Sequence, residues 1–242
     1  MNRSTTDTIA PLTNVMLADA AVEAAVNRPA HLPGLVTLYG PSGWGKTQAA
    51  VYAANKHRAY YCEARSGWTR KAMLLAVLRD MGVTPAHTVY EMTDQVSDQL
   101  ARSRRPLIVD EIDHLIDRRA IETIRDIHEG AGVAILMIGE ERVPTKLKSW
   151  ERFHGRMLDW VAAQPPSLED ARQLRRLYCR DVKVKDDLLA LIYERAQHSV
   201  RRICVNLERA ASVARDQGLE EIGLEAWGER PLFTGDPPPR RV

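Results

Sequence analysis

The sequence predicts an α/β fold: a doubly wound parallel sheet between layers of helix, followed by a smaller helical part. Three observations predict it. Short apolar runs alternate with amphipathic stretches from residue 35 to residue 161, the order expected of strand–helix–strand units. One of these runs, Leu107-Ile108-Val109, has no polar residue before Asp110, as suits a strand buried on both faces. Beyond Pro165-Pro166 the patterning is helical to about residue 217.

The elements follow in order. Residues 35–39 read as a strand, 40–47 as a glycine-rich loop and 48–56 as a helix. A second strand is expected at 59–62. A helix should follow at 69–81, with Met73, Leu74, Val77 and Leu78 on one face and Gly82 as its stop. Residues 85–89 read as a connection and 91–102 as a helix. The third strand, 106–110, precedes an amphipathic helix at 119–129 carrying Ile121, Ile124 and Ile127, with Gly130 as its end. A fourth strand is expected at 133–138 and a fifth at 156–161. Ser167 with Asp170 three residues on reads as a helix start. The expected organisation is an α/β core at 1–164, a helical segment at 165–228 and a disordered tail at 229–242. No internal repeat is seen.

Composition sets limits. With 242 residues, 45% hydrophobic and 27% charged, the chain can bury one substantial domain and a small second one. A net charge of +2 does not by itself announce a nucleic-acid partner. Residues 142–180 nevertheless hold nine Lys/Arg against four acids, which is either a solvated basic face or a surface for an anionic partner. Cys62, Cys179 and Cys204 are too few and too scattered for a disulfide framework or a zinc site, and fit a reducing cytoplasm. The first fourteen residues lack a signal-peptide core, and no apolar run approaches a membrane span, so no membrane partner is expected.

The chemistry starts at Gly40-Pro41-Ser42-Gly43-Trp44-Gly45-Lys46-Thr47, which has the form G-x-x-x-x-G-K-[ST]. Its flanks, a strand before and a helix after, are those of a phosphate-binding loop. Loop N–H groups and the positive end of the helix favour phosphate oxygens. Lys46 should reach the outer phosphates of ATP, and Thr47 should ligate Mg2+. Some sixty residues on, the third strand ends in Asp110-Glu111. Asp110 suits Mg2+ held through water, and Glu111 suits a base for the attacking water. The same pair could instead cap the next helix. Positive charge for the transferring phosphoryl group could come from Arg152 and Arg156, or from Arg201 and Arg202.

This ordered set resembles the AAA+ ATPases. Within them, Asp110-Glu111-Ile112-Asp113-His114-Leu115, the stretch 121–128, and Gly132 to Gly139 resemble the phage Mu target-selection protein B / transposition ATP-binding protein family, over about residues 10–215. The resemblance implies a three-layer P-loop core with a small C-terminal helical lid. It also implies an ATPase that binds double-stranded DNA without sequence preference, self-associates into an ATP-dependent homo-oligomer or helical filament, and recruits a transposase. A bacterial or phage-infected host cytoplasm is the implied location. Arg156 falls at the family's arginine finger, with Arg152 as fallback, and Arg201 at the lid's sensor arginine, with Arg202 as fallback. Loops bearing Arg65, Arg70, Lys71, Arg118 and Arg119 fall where related filaments touch DNA. Two departures stand out. Glu140 occupies a position where the family has a small polar residue, so it either turns away from the γ-phosphate or tunes hydrolysis. About 34 residues before the first strand are also too few for the family's extra N-terminal DNA-binding domain. A helicase loader is the alternative function, and a small-molecule kinase is a third, weakened by Glu111 and by the lack of an acceptor pocket.

Overall fold

A computed structural model describes residues 9–235. They form two compact units, one of residues 14–41 and 46–163, the other of residues up to 13, 42–45 and from 164 onward.

In the larger unit, helix α1 (Thr13–Val26) precedes strand β1 (Leu35–Tyr39), helix α2 (Lys46–Lys56) and strand β2 (Tyr60–Glu63). Helices α3 (Arg70–Asp80) and α4 (Val89–Ser103) lead to β3 (Leu107–Asp110), α5 (Asp113–Asp117), α6 (Glu122–Ala131) and β4 (Ile135–Gly139). Two short helices, α7 (Val143–Leu147) and α8 (Glu151–His154), lead to β5 (Met157–Ala162). The five strands are parallel in the order β2-β3-β4-β1-β5. All strand carboxyl ends therefore lie on one edge, where open α/β sheets bind ligands. Leu107, Ile108 and Val109 are at most 1% exposed, as their unbroken apolar run requires. Each such side chain contributes about 1.5–3 kcal/mol through burial.

Side-chain caps start several of the helices. Thr69 caps α3 through the Ala72 N–H, and Thr88 with Glu91 forms a capping box on α4. One boundary differs from the sequence expectation. Helix α6 runs through Gly130 and stops at Gly132, whose φ of 66° takes the left-handed cap. Gly130 is instead a contact point: a Cβ there would lie 2.9 Å from Ser97 Oγ of α4. The start is also later than expected, because Arg119 has φ 54° and turns the chain before the helix.

The smaller unit holds α9 (Leu168–Tyr178), β6 (Lys183–Val184), α10 (Asp186–Arg195), α11 (Val200–Asp216), β7 (Glu221–Ile222) and α12 (Leu224–Trp227). Ser167 and Asp170 form the expected capping box. The all-helical expectation is corrected by β6, which pairs with β7 in a two-stranded parallel sheet. Two residues are too short to show a period of two. Of the expected disordered tail at 229–242, residues 236–242 lie outside the described residues. Phe233 is held on both sides by Asn206, with N–H donated to Oδ1 at 2.7 Å and O accepting from Nδ2 at 3.0 Å. Among the described residues the three cysteines are free, and no helix is long and apolar enough to cross a membrane.

A buried histidine braces the larger unit. Gly34 N–H donates to His128 Nε2 at 3.2 Å, which makes Nε2 the acceptor and leaves Nδ1–H to donate to Val133 O at 2.8 Å. Burial holds the His128 pKa below its ordinary value. The folded state thus favours neutral His128. Its contribution is fully present above the ordinary histidine pKa, near ~6.5, and is lost as pH falls through the lowered folded value. His128→Gln should cost about 1–3 kcal/mol at pH 7.5, and its gap to wild type should narrow at pH 5. Thermal melts at both pH values check this, and a gap that widens on acidification would contradict it.

Candidate active site

The phosphate-type loop leaves the carboxyl end of β1, and α2 begins at Lys46. Gly43 and Gly45 have φ of 83° and 84°, which side-chain-bearing residues rarely adopt. Gly40 is required for space, because a Cβ there would sit 2.9 Å from Ala163 Cβ. Lys46 Nζ donates to Gly40 O at 2.7 Å and Pro41 O at 2.8 Å, so its ammonium lies across the start of the loop. Burial pushes the Lys46 pKa down, while the carboxylates of Glu111, Asp110, Glu140 and Asp113 pull it back up. The ammonium therefore faces several acids at this edge of the sheet.

Two strands away, β3 delivers Asp110, which is 1% exposed. Its Oδ1 accepts the Glu111 N–H at 2.8 Å, its Oδ2 accepts the Tyr61 hydroxyl at 3.3 Å, and Thr47 hydrogen-bonds it as well. Burial raises the Asp110 pKa and these donors oppose the rise. Burial also raises Tyr61, which keeps that hydroxyl a donor. Glu111 is half-buried, with its pKa raised first by burial and then by Asp110. Its φ of 56° is left-handed, a conformation that costs an ordinary residue about 1–2 kcal/mol. No side chain caps α5, so the capping reading of the acidic pair has no support. Sequence reasoning missed Tyr61, which no motif marks, although its pairing opposite Ile108 places it two residues before the Glu63–Asp110 pair.

The residue after β4, Glu140, is exposed, and its N–H donates to Asp113 Oδ2 at 2.7 Å. Arg156 lies elsewhere. Leu35 N–H donates to Arg156 O, so Arg156 sits where β1 begins, a strand length of about 13 Å from the loop that follows Tyr39. Its Nε meets Glu129 Oε1 at 2.9 Å, in an open groove of about 330 Å³ that Arg125 and Arg152 also line. In the smaller unit, Val200 N–H donates to Gly43 O at 2.8 Å. Arg201 is the next residue and is exposed, while Arg202 meets Gln197 Oε1 at 2.9 Å.

The five expected DNA-contacting residues are exposed, and the structure brings their loops together. Arg70 Nη2 donates to Arg119 O at 3.2 Å, and Arg118 Nε donates to Ser66 O at 3.3 Å. Lys71 Nζ donates to His87 O at 3.0 Å, and Arg65 lies in the same turn as Ser66.

Residues 30–147 match the family model described as an AAA domain, a class of nucleotide-hydrolysing P-loop ATPases. The chain is 29% identical over 117 residues to the Mu-like prophage FluMu DNA transposition protein B of Haemophilus influenzae, which covers 47% of the chain and 40% of that protein. Its fold is that of AAA+ proteins. The ORC1 protein of Aeropyrum pernix, solved in complex with DNA, superposes with a TM-score of 0.62 at 19% identity, over 88% of the chain and 62% of that structure. Cdc6p of Pyrobaculum aerophilum gives 0.63 at 14%, over 86% and 62%. The chain thus spans less than two thirds of the length of each relative.

The glycine that ends β4 is a sensitive test of this packing. A Cβ at Gly139 would lie 2.5 Å from Val143 Cγ2 and 2.6 Å from Asp113 Oδ2. Gly139→Ala should destabilise the chain by about 1–3 kcal/mol, read as a lowered urea midpoint. A midpoint equal to wild type would show that these neighbours yield freely.

Proposed function

We propose that the chain is an ATPase whose nucleotide state controls binding to double-stranded DNA, and that it selects target DNA and recruits or activates a transposase. The observation that carries the ATPase part is the meeting of Thr47, Asp110 and Glu111 at the carboxyl edge beside Lys46. Residues Gly40, Pro41, Ser42, Gly43, Trp44, Gly45, Lys46 and Thr47 cradle the phosphates. The hydroxyl of Thr47 and the carboxylate of Asp110, which meet in the site, are oxygen donors suited to Mg2+. That ion would neutralise phosphate charge. Glu111 orients and deprotonates the attacking water, and its raised pKa suits a base. The helical segment 165–228 serves as a lid, and Arg201 as its sensor arginine.

Likeness to a prophage DNA transposition protein B supports the transposition part and favours it over a helicase loader. Arg65, Arg70, Lys71, Arg118 and Arg119 form the surface for DNA phosphates. Active assemblies are homo-oligomers, filaments on DNA, in a bacterial or phage-infected cytoplasm. Pull-down with a transposase against a replicative helicase separates the two readings. Electron microscopy with ATP and double-stranded DNA should show helical filaments, and closed rings would count against the proposal.

Glu111→Gln should retain ATP binding and slow hydrolysis by about a hundredfold or more. Turnover near wild type would remove Glu111 as the base. Lys46→Ala should lose ATP binding in calorimetry with a non-hydrolysable analogue.

Arg156 acts on the nucleotide of a neighbouring subunit, because it lies a strand length from its own loop. Arg156→Ala should bind nucleotide normally and lose DNA-stimulated turnover by about a thousandfold. Mixed with Lys46→Ala, it should regain part of that activity, since the Lys46→Ala subunit still offers its arginine. Co-assembly without recovery would refute action in trans.

A further inference from the structure

None of the roles above uses Asp113, although its carboxylate is buried at 5% exposure in the first turn of α5. Both of its oxygens are engaged. Oδ2 accepts the Glu140 N–H at 2.7 Å, and Oδ1 meets Lys146 Nζ at 3.1 Å, which also reaches Asp117 Oδ1 at 2.9 Å. The carboxylate approaches so closely that Gly139 has no room for a Cβ. A charged acceptor makes the stronger kind of hydrogen bond, and Lys146 offsets part of the cost of burying the charge.

The location gives this brace a consequence. The β3–β4 ladder pairs residues up to Val109 and Met137, and Ile112 N–H still reaches Ile138 O at 2.9 Å. Beyond Gly139 the chain leaves the sheet and turns into α7, with Val143 N–H on Glu140 O. Asp113 takes over there, joining the segment after the acidic pair to the residue after β4. Gly40 N–H donates to Gly139 O at 3.4 Å, so Glu140 leaves the end of β4 beside the first residue of the phosphate loop that Lys46 crosses. Swung toward the outer phosphate, the Glu140 carboxylate would repel it. Fixing the Glu140 N–H fixes the point from which that side chain departs.

We propose that Asp113, with Lys146 as its counterion, is a positioning residue for nucleotide hydrolysis that holds Glu140 in place beside the phosphate loop. The inference rests on the reading of this site as an ATPase. It acts through the backbone of Glu140, and the glutamate itself supplies the charge that must be kept in place.

The test compares Asp113→Ala, Asp113→Asn and Lys146→Met. Asn keeps an oxygen for the Glu140 N–H and loses the charge pair, and Ala loses both. Amide hydrogen exchange at Glu140 should speed up by about tenfold or more in Asp113→Ala and by less in Asp113→Asn. In steady-state kinetics, kcat for ATP should fall about tenfold in Asp113→Ala, with KM within threefold, and Asn should recover most of the loss. The decisive comparison is with Glu140→Ala. If Asp113 acts through Glu140, adding Asp113→Ala to Glu140→Ala should cost little more. A full further tenfold loss would mean a purely structural role and overturn the proposal. So would unchanged exchange at Glu140, or Asp113→Ala turnover within twofold of wild type. Should Asp113→Ala fail to fold, Asp113→Asn and Lys146→Met carry the same measurements alone and with Glu140→Ala, and non-additive losses are again required. A wild-type chain without ATP turnover would sink the ATPase reading, while the exchange measurement would still report on the brace.

Discussion

A carboxylate at the end of a dry strand must be met by donors on every side, and the site is arranged around that requirement at Asp110. Three residues with almost no exposure lead into it. An uncompensated charge there would cost several kcal/mol. Its donors come from three directions: Glu111 N–H from its own chain, the Tyr61 hydroxyl from β2 and Thr47 from the start of α2. That set requires β2 beside β3 and α2 at the carboxyl edge, which the strand order provides. It also accounts for the left-handed Glu111, whose N–H turns back onto Asp110 Oδ1. The strain lies at the residue proposed as the base, as is common where function fixes geometry.

Legibility in the sequence followed the range of the interactions. All five strands of the sheet were readable, because apolar runs bounded by glycine, proline and charge carry the signal within a few residues. So was the cap at Ser167. The phosphate loop and the acidic pair were readable as patterns. Tyr61 and Asp113 were not, because their roles depend on which strands and loops become neighbours. Gly130 misled for the same reason: glycine near a helix end usually stops it, but here the approach of α4 asks for a missing Cβ. Helix α1 carries Val15, Ala18, Val22 and Ala25 buried at helical spacing, a signal that was present but lay in an alanine-rich stretch with weak contrast between faces.

The two basic regions separate by the kind of partner each cation meets. In residues 142–180, Lys146, Arg156, Arg172, Arg175 and Arg176 each pair with a carboxylate. Much of the local excess of charge is thereby neutralised, by acids as far along the chain as Asp113 and Asp186. Arg70, Lys71 and Arg118 donate instead to backbone carbonyls, which fix geometry and leave the full positive charge in place. Charge counting along the sequence pointed to the first region. On the proposed reading the second is the surface for a polyanion, since releasing counterions from phosphates needs cations whose charge no carboxylate already meets.

Arg156 brings the same logic to assembly. Its backbone is tied to the amino end of β1 and the phosphate loop leaves the carboxyl end of the same strand. A parallel strand is a rigid spacer, and no rotamer of arginine spans its length and turns the edge of the sheet. Within one chain the proposed site therefore has its base and its lysine, and Arg156 stands out of its reach. The groove holding Arg156 is open, and its ion pair with Glu129 is half-exposed, so it is held by about 1 kcal/mol or less. A neighbour that presents phosphate there can displace Glu129 at small cost. On the proposed reading, dependence of hydrolysis on self-association follows from where strand β5 begins.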